Sequence, residues 1–277
     1  MNDFQFTLSQ KKRLKELGAD NYINSAFRSE KDRNSTFDDL DTAWQRKNKE
    51  AMQNLLLNEK RPLIRRIESK IIESLNSNKF VEITTPYIIS RVFIEQMGIN
   101  ETNHLWKQIY WLEDGRCLRP MLAPNLYYIM RCLRKFMKPV RIFEVGPCFR
   151  KESKGWEHIE GFTMLNVVEL APEKEPLERV KEIIDIVLEA VELPNFQLKD
   201  VKAEVYGRTV DVIIDEIEVA SAVAGPHQLD KNWGIFEAWA GVGFGIERIA
   251  MVKKGSKRIK SVARSLSNLD GIPLDIQ

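Results

Sequence analysis

Two short strings in this sequence combine residue types that could handle a nucleotide. The first is Phe149-Arg150-Lys151-Glu152, followed after a polar stretch by His158-Ile159-Glu160-Gly161-Phe162. The second is Gly241-Val242-Gly243-Phe244-Gly245-Ile246-Glu247-Arg248. An arginine at a strand end offers a planar fork of donors that fits a phosphate or a carboxylate. Glycines at alternate strand positions let a ligand approach the backbone. Taken singly, each string also has a plain structural meaning. An Arg-x-Glu is usually a solvated ion pair, and alternating glycines usually mark a bulge or a close-packed strand. The glycine spacing and its Glu247-Arg248 end depart from a dinucleotide fingerprint, and no GxxxxGK[ST] loop occurs.

The elements that must carry these strings follow from patterning. Val140 to Phe149 and Phe162 to Leu170 are apolar and strand-like, and Arg150–Gly161 between them is polar, so the first string lies on an antiparallel strand–loop–strand unit. Three further strands are expected at Val201–Val205, Thr209–Ile214 and Ile217–Ala224. The glycine string should run from a strand into a helix over Ile246–Lys254. Leu63, Ile64, Ile67, Ile71, Ile72 and Leu75 recur at helical spacing behind Pro62, and a strand over Phe80–Thr84 stops at Pro86. Helices are also expected over Asn125–Met137 and Pro176–Leu193, with a short strand at Arg116–Arg119. Ahead of Pro62 the chain reads as polar helices. Thr7 or Ser9 caps one that Gly18 ends, and Asn34-Ser35-Thr36 opens another. Strands without regular β-α-β alternation point to an α+β plan, a mostly antiparallel sheet flanked by helices.

In this order, the strings resemble motifs 2 and 3 of the class II aminoacyl-tRNA synthetases. Pro62–Ile83 with Pro86 resembles motif 1, except that its usual glycine before the aromatic is Lys79, with Asn78 offered for a positive φ. Longer strings resemble the pyrrolysyl-tRNA synthetase family over nearly the whole chain. They are Leu118-Arg119-Pro120-Met121-Leu122-Ala123-Pro124-Asn125-Leu126-Tyr127, Gly146 to Ser153, Glu160 to Asn166 and Ser261 to Ser267. The likeness is to forms without a fused N-terminal tRNA-binding domain. It implies a class II catalytic fold over 61–277 with a basic C-terminal tail, and a helical extension over 1–60.

The resemblance implies ATP-dependent activation of pyrrolysine, or of a bulky Nε-acylated lysine, and transfer to a cognate amber-suppressor tRNA. Adenylation brings two anions together, so it needs cations and a metal more than a proton-transfer base. Arg150 and Arg248 are the implied catalytic residues. The implied ATP-binding set is Arg150, Glu152, His158, Ile159, Phe162, Glu218, Val219, Ser221, Gly243 and Arg248, with Phe162 and Arg248 on opposite faces of adenine. Glu218 and Ser221 match the family's Mg²⁺ positions, and Mg²⁺ suits few carboxylates plus phosphate oxygens. For the amino acid, Met121, Ala123, Leu126, Tyr127, Met130, Val168, Val223 and Trp239 would form a deep apolar pocket that reaches Gly241, with Tyr206 as its mobile cover. Asn166 stands where many class II enzymes carry an acid. An amide donates and accepts, which suits a neutral amide better than an ammonium. Gly161 replaces a more usual acid before Phe162. The remaining alternatives are a class II synthetase for another large amino acid and a non-catalytic tRNA-binding relative.

Composition bounds the partners. Net charge is only +2, which excludes a globally basic nucleic-acid binder. The charge is uneven: +4 over 1–80, −6 over 81–250 and +4 over 251–277. The basic ends are where tRNA would be sought: Arg61, Arg65, Arg66 and Lys70, then Lys253, Lys254, Lys257, Arg258, Lys260 and Arg264. No run of ~18 apolar residues is present, so no membrane span is expected. The start lacks a secretory pattern, and Cys117, Cys132 and Cys148 read as free thiols of a cytoplasmic protein. The family likeness further implies a homodimer through motif 1, and leaves room for a separate N-terminal-domain protein.

Overall fold

The computed structural model describes residues 4–151, 159–256 and 258–274, and only the backbone of Lys260. Glu152, His158 and Lys257 therefore lie outside the described residues. The chain divides into two compact units, one of residues 1–63 with 263–277 and one of residues 64–262.

In the first unit, α1 (Leu8–Glu16) starts at Thr7, whose hydroxyl accepts the Gln10 N–H while the Gln10 side chain accepts the Thr7 N–H. Gly18 follows at φ +82°, a conformation that glycine adopts without strain. The second helix, α2 (Glu30–Asn54), begins earlier than the Asn34-Ser35-Thr36 cap expected from sequence. Ser29 is extended and its hydroxyl takes the Asp32 N–H, and Glu30 and Asp32 place acids at the positive end of the helix dipole. A small core of Phe6, Leu14, Ala19 and Ile23 is covered by Phe27, Phe37, Leu40 and Trp44. The C-terminal stretch groups with this unit and not with the sheet. Asp270 accepts the Leu63 N–H at 3.1 Å, and Asn268–Leu269 pairs with Ile272–Pro273.

The second unit is an α+β layer structure. Helix α3 (Leu63–Ser77) buries Ile64, Ile67, Ile71 and Leu75 along one stripe. It is ended by Lys79 at φ +65°, not by Asn78 as the sequence suggested. Phe80, 2% exposed, donates its N–H to Leu75, so burial of the aromatic ring fixes the turn one residue later. Seven strands form the main sheet, apart from a small antiparallel pair of Ile88–Ser90 with Arg116–Leu118: β1 (Val81–Glu82), β2 (Val140–Phe149), β3 (Gly161–Leu170), β4 (Gln197–Ala203), β5 (Gly207–Ile214), β6 (Ile217–Gly225) and β7 (Trp239–Gly245). Their order across the sheet is β1-β2-β3-β7-β6-β5-β4. Only β1 against β2 is parallel; the other pairs are antiparallel. Strand β1 is shorter than the expected Phe80–Thr84.

Helix α4 (Ala123–Leu133) carries Pro124 in its first turn and spans a different window from the expected Asn125–Met137. Helix α5 (Pro176–Ala190) buries Val180, Ile183, Ile184, Val187 and Leu188. Helix α6 (Ile246–Lys254) leaves the end of β7 and stops at Gly255, φ +62°. Among the described residues, no helix is long and apolar enough to cross a membrane. The three cysteines are free, and burial pushes the thiols of Cys117 and Cys148 up to about 11 and about 12.

Candidate active site

The pairing of β3, β7 and β6 sets the site. In the sheet, Gly243 stands between Asn166 and Ser221, and Gly241 between Val168 and Val223. From Trp239 to Gly245 the middle strand spans about 20 Å. A cavity of about 540 Å³ runs along it. Toward Gly245 its walls include Arg150, Ile159, Phe162, Glu218, Val219, Ser221, Gly243 and Arg248. Toward Trp239 they include Met121, Ala123, Leu126, Tyr127, Met130, Val168, Tyr206, Val223, Trp239 and Gly241, with Asn166, beside Gly243, where the two ends meet. The fold thus brings every described residue of the two expected sets to one cavity. Glu152 and His158 lie outside the described residues.

At the charged end, Arg150 leaves β2 with its backbone N–H on the Glu160 carbonyl and its Nε on the Pro120 carbonyl, both at 2.9 Å. Its guanidinium lies 5.3 Å from the centre of the Phe162 ring, a cation–π contact of about 0.5–1 kcal/mol in a half-open site. Arg248, in the first turn of α6, donates Nη1 to the Glu218 carbonyl at 2.9 Å and lies 3.1 Å from that residue's carboxylate. The β6–β5 register shifts between Glu218 and Ala220. This bulge lets Glu218 and Ser221, three residues apart, face the same cavity, where a regular strand would send them to opposite faces.

Three acids escaped the sequence reading of the site. Glu247, 1% exposed, accepts the Thr163 N–H at 3.0 and 2.8 Å and the Thr163 hydroxyl at 3.0 Å, pinning the start of α6 to β3. Asp211 accepts the Ser221 hydroxyl at 2.8 Å. Asp230, 1% exposed, accepts the Tyr127 hydroxyl and the Trp239 indole N–H, both at 2.8 Å, and the His227 N–H at 2.6 Å. The available signal for Asp230 was its place three residues after His227, where an acid closes a capping box.

The other end is mostly apolar, and its polar groups include the Tyr206 hydroxyl and, beside Gly243, the amide of Asn166. Its Oδ1 is buried with no hydrogen-bond partner among the described residues. A Cβ added at Gly243 would lie 3.2 Å from that oxygen, so the glycine keeps the amide open to the cavity. Tyr206 lies with its ring centre 6.1 Å from that of Trp239 and 5.6 Å from that of His227. Burial raises the hydroxyls of both Tyr127 and Tyr206 above the usual phenol range, so both stay protonated.

Of the basic candidates, Lys70 on α3 and Lys253 on α6 meet at one carboxylate, Glu192, at 2.7 and 3.1 Å. Lys70 foremost, with Lys253, holds that carboxyl down at about 2. Arg65 is paired with Glu68 at 2.6 Å.

Residues 47–270 match the family model of the class II core domain of tRNA synthetases. The chain belongs to the class II aminoacyl-tRNA synthetases. A crystal structure of pyrrolysyl-tRNA synthetase from Desulfitobacterium hafniense is 40% identical and superposes with a TM-score of 0.92 over 100% of both chains. A second structure of that organism's pyrrolysyl-tRNA synthetase is 40% identical with a TM-score of 0.89 over 98% of each chain. Within its class, the chain is a member of the pyrrolysyl-tRNA synthetase family. A threonine–tRNA ligase from Ehrlichia ruminantium is 27% identical over 158 residues, which is 53% of this chain and 25% of that enzyme. The chain thus spans about a quarter of the length of the curated relatives it matches.

Proposed function

We propose that this protein activates pyrrolysine, or a bulky Nε-acylated lysine, with ATP and transfers it to a cognate amber-suppressor tRNA. The observation that carries the reading is the continuity of the cavity. One end offers two guanidinium groups and an aromatic face, and the other offers mostly apolar walls that begin at the open amide of Asn166. The whole-chain likeness to pyrrolysyl-tRNA synthetases supports the same assignment.

In this reading Arg150 holds the α-phosphate and the attacking carboxylate. Its hydrogen bond to Pro120 and its stacking on Phe162 fix the fork before substrate arrives, so little reorganisation is needed in the transition state. Arg248 and Phe162 flank adenine, and Arg248 reaches the γ-phosphate, with Glu152 on the adenine amine and His158 toward the terminal phosphates. The Nε-acyl group enters toward Trp239 and meets Asn166, whose orphaned oxygen accepts an amide N–H and whose Nδ2 serves an amide carbonyl. Tyr206 covers the pocket.

Glu218 and Ser221 fit a magnesium site. They are oxygen donors brought together by the bulge, and the Ser221 hydroxyl donates its hydrogen bond to Asp211, leaving lone pairs for a cation. Among the described residues no group of three or more acids, histidines or cysteines could hold a metal. Mg²⁺ takes few protein ligands and completes its shell from phosphates and water. Bound there, it would neutralise charge on the phosphates.

The partners in this reading are the tRNA, on the basic stretches of the two ends, and a second copy of the chain through motif 1. Val81, Tyr87 and Ile88, 60%, 54% and 43% exposed, give that stretch an apolar surface. A separate N-terminal-domain protein is a further partner, and the setting is the cytoplasm. Charging of an amber-suppressor tRNA tests the whole reading. Acid-stable charging with an Nε-acylated lysine is expected, and charging with unmodified lysine or phenylalanine alone would refute it.

A further inference from the structure

Asp230 lies behind the apolar end of the cavity, which it does not itself line. It nevertheless bonds to two residues that do. Tyr127 on α4 and Trp239 on β7 each direct their one polar side-chain hydrogen onto its carboxylate. The backbone N–H of His227, from a third segment, shares Oδ2 with the indole, while the Tyr127 hydroxyl has Oδ1 to itself. The surroundings are built for this arrangement. A Cβ at Gly225 would fall 1.9 Å from Trp239 Nε1, so only a glycine leaves room for the indole edge to reach the acid. The Tyr127 and Trp239 rings meet edge to face at 5.7 Å, and Tyr127 stacks on Trp233 at 5.4 Å.

We propose that Asp230 is a positioning residue for amino-acid specificity. By accepting the Tyr127 and Trp239 protons, it turns both polar edges away from the cavity and fixes the rings that form its apolar floor. The substrate side chain then meets ring faces there, and its amide finds Asn166 as the polar partner. The proposal rests on the reading of this cavity end as the amino-acid pocket.

Asp230→Asn separates this role from simple support of the fold. Two N–H donors converge on Oδ2, so the asparagine oxygen must take that place. Its NH₂ group then faces the Tyr127 hydroxyl, which must accept, and the displaced tyrosine proton turns toward the Tyr206 hydroxyl that lines the cavity. Packing volume and the His227 and Trp239 bonds survive, and the change is confined to hydrogen-bond directions at the Tyr127 and Tyr206 hydroxyls.

The experiment is ATP–pyrophosphate exchange with an Nε-acylated lysine, using the full chain, Asp230→Asn, Tyr127→Phe and the double variant. The expected result for Asp230→Asn is an amino-acid KM raised about tenfold, with kcat and the ATP KM within about twofold. Tyr127→Phe should raise the amino-acid KM similarly. The double variant should stay near tenfold instead of reaching a hundredfold, because both changes remove the same tether. An unchanged amino-acid KM, an equal rise in the ATP KM, or multiplicative effects in the double variant would overturn the proposal. Should Asp230→Asn fail to fold, Tyr127→Phe decides alone: a KM within twofold of the parent overturns it. Absence of exchange in the unsubstituted protein would overturn the pocket reading beneath it as well, which separates the two failures.

Discussion

The two ends of the cavity achieve order by different means. At the Gly245 end, charged side chains are held by fixed partners: Arg150 by the Pro120 carbonyl, Arg248 by the carbonyl and carboxylate of Glu218, and Glu247 by the N–H and hydroxyl of Thr163. At the Trp239 end, aromatic and aliphatic side chains pack as core, and the polar group left open, Asn166, has an unpartnered oxygen. The first end is pre-paired before any ligand binds. The second keeps a desolvated acceptor waiting, at a cost of about 1–3 kcal/mol until a donor arrives. Binding energy that depends on ATP should therefore reside in fixed cations. Discrimination between amino acids should reside in one amide and the shape around it.

The largest effect that could break this contrast is Arg150→Ala. It removes the pre-oriented fork, and kcat for pyrophosphate exchange should fall by about 10²–10³. A loss below about tenfold would show that the charged end does not stabilise the transition state. Asn166→Ala comes next. It should raise the amino-acid KM about 10–100-fold, leave the ATP KM within about twofold, and leave stability unchanged or slightly higher, since it deletes an unsatisfied buried oxygen. Equal loss toward both substrates would erase the distinction between the ends.

Glu247→Ala sharpens the contrast through stability. It leaves the buried Thr163 N–H without its acceptor, so urea unfolding should show a loss of about 3 kcal/mol. The smallest effect concerns pH. Burial would raise the Glu237 carboxyl, but Lys138, backbone N–H groups and Arg134 outweigh it and hold it at about 2. A depressed folded pKa adds stability above the unfolded value near 4.5, and that stability is lost as pH falls toward 2. Glu237→Gln should therefore flatten the melting temperature against pH in that window and nowhere above it. An unaltered acid limb would contradict the assignment.

The same contrast explains what could be read without coordinates. Arg150, the glycine string and Arg248 were legible because charges and glycines inside apolar strands break the pattern of ordinary core. Strand β2 was delimited to the residue, and β3 to within one. Met130, Val168 and Val223 are indistinguishable from core by type, so they entered only through family likeness. Asp230, Asp211 and Glu247 were missed as members of the site because a lone acid in sequence reads as solvated surface. Only the fold shows the donors converging on them. The start of α2 and the Lys79 turn were misplaced for a related reason: Ser29 and the burial of Phe80 outweighed the local preferences of Asn34 and Asn78.

The most direct test of the central claim is ATP–pyrophosphate exchange by the unsubstituted protein with three amino acids at equal concentration: an Nε-acylated lysine, free lysine and phenylalanine. Robust exchange with the acylated lysine and little with the other two is the expected result. Exchange that favours free lysine or phenylalanine, or that is absent with the acylated lysine, would contradict a cavity whose charged end takes ATP and whose apolar end reads an amide through Asn166.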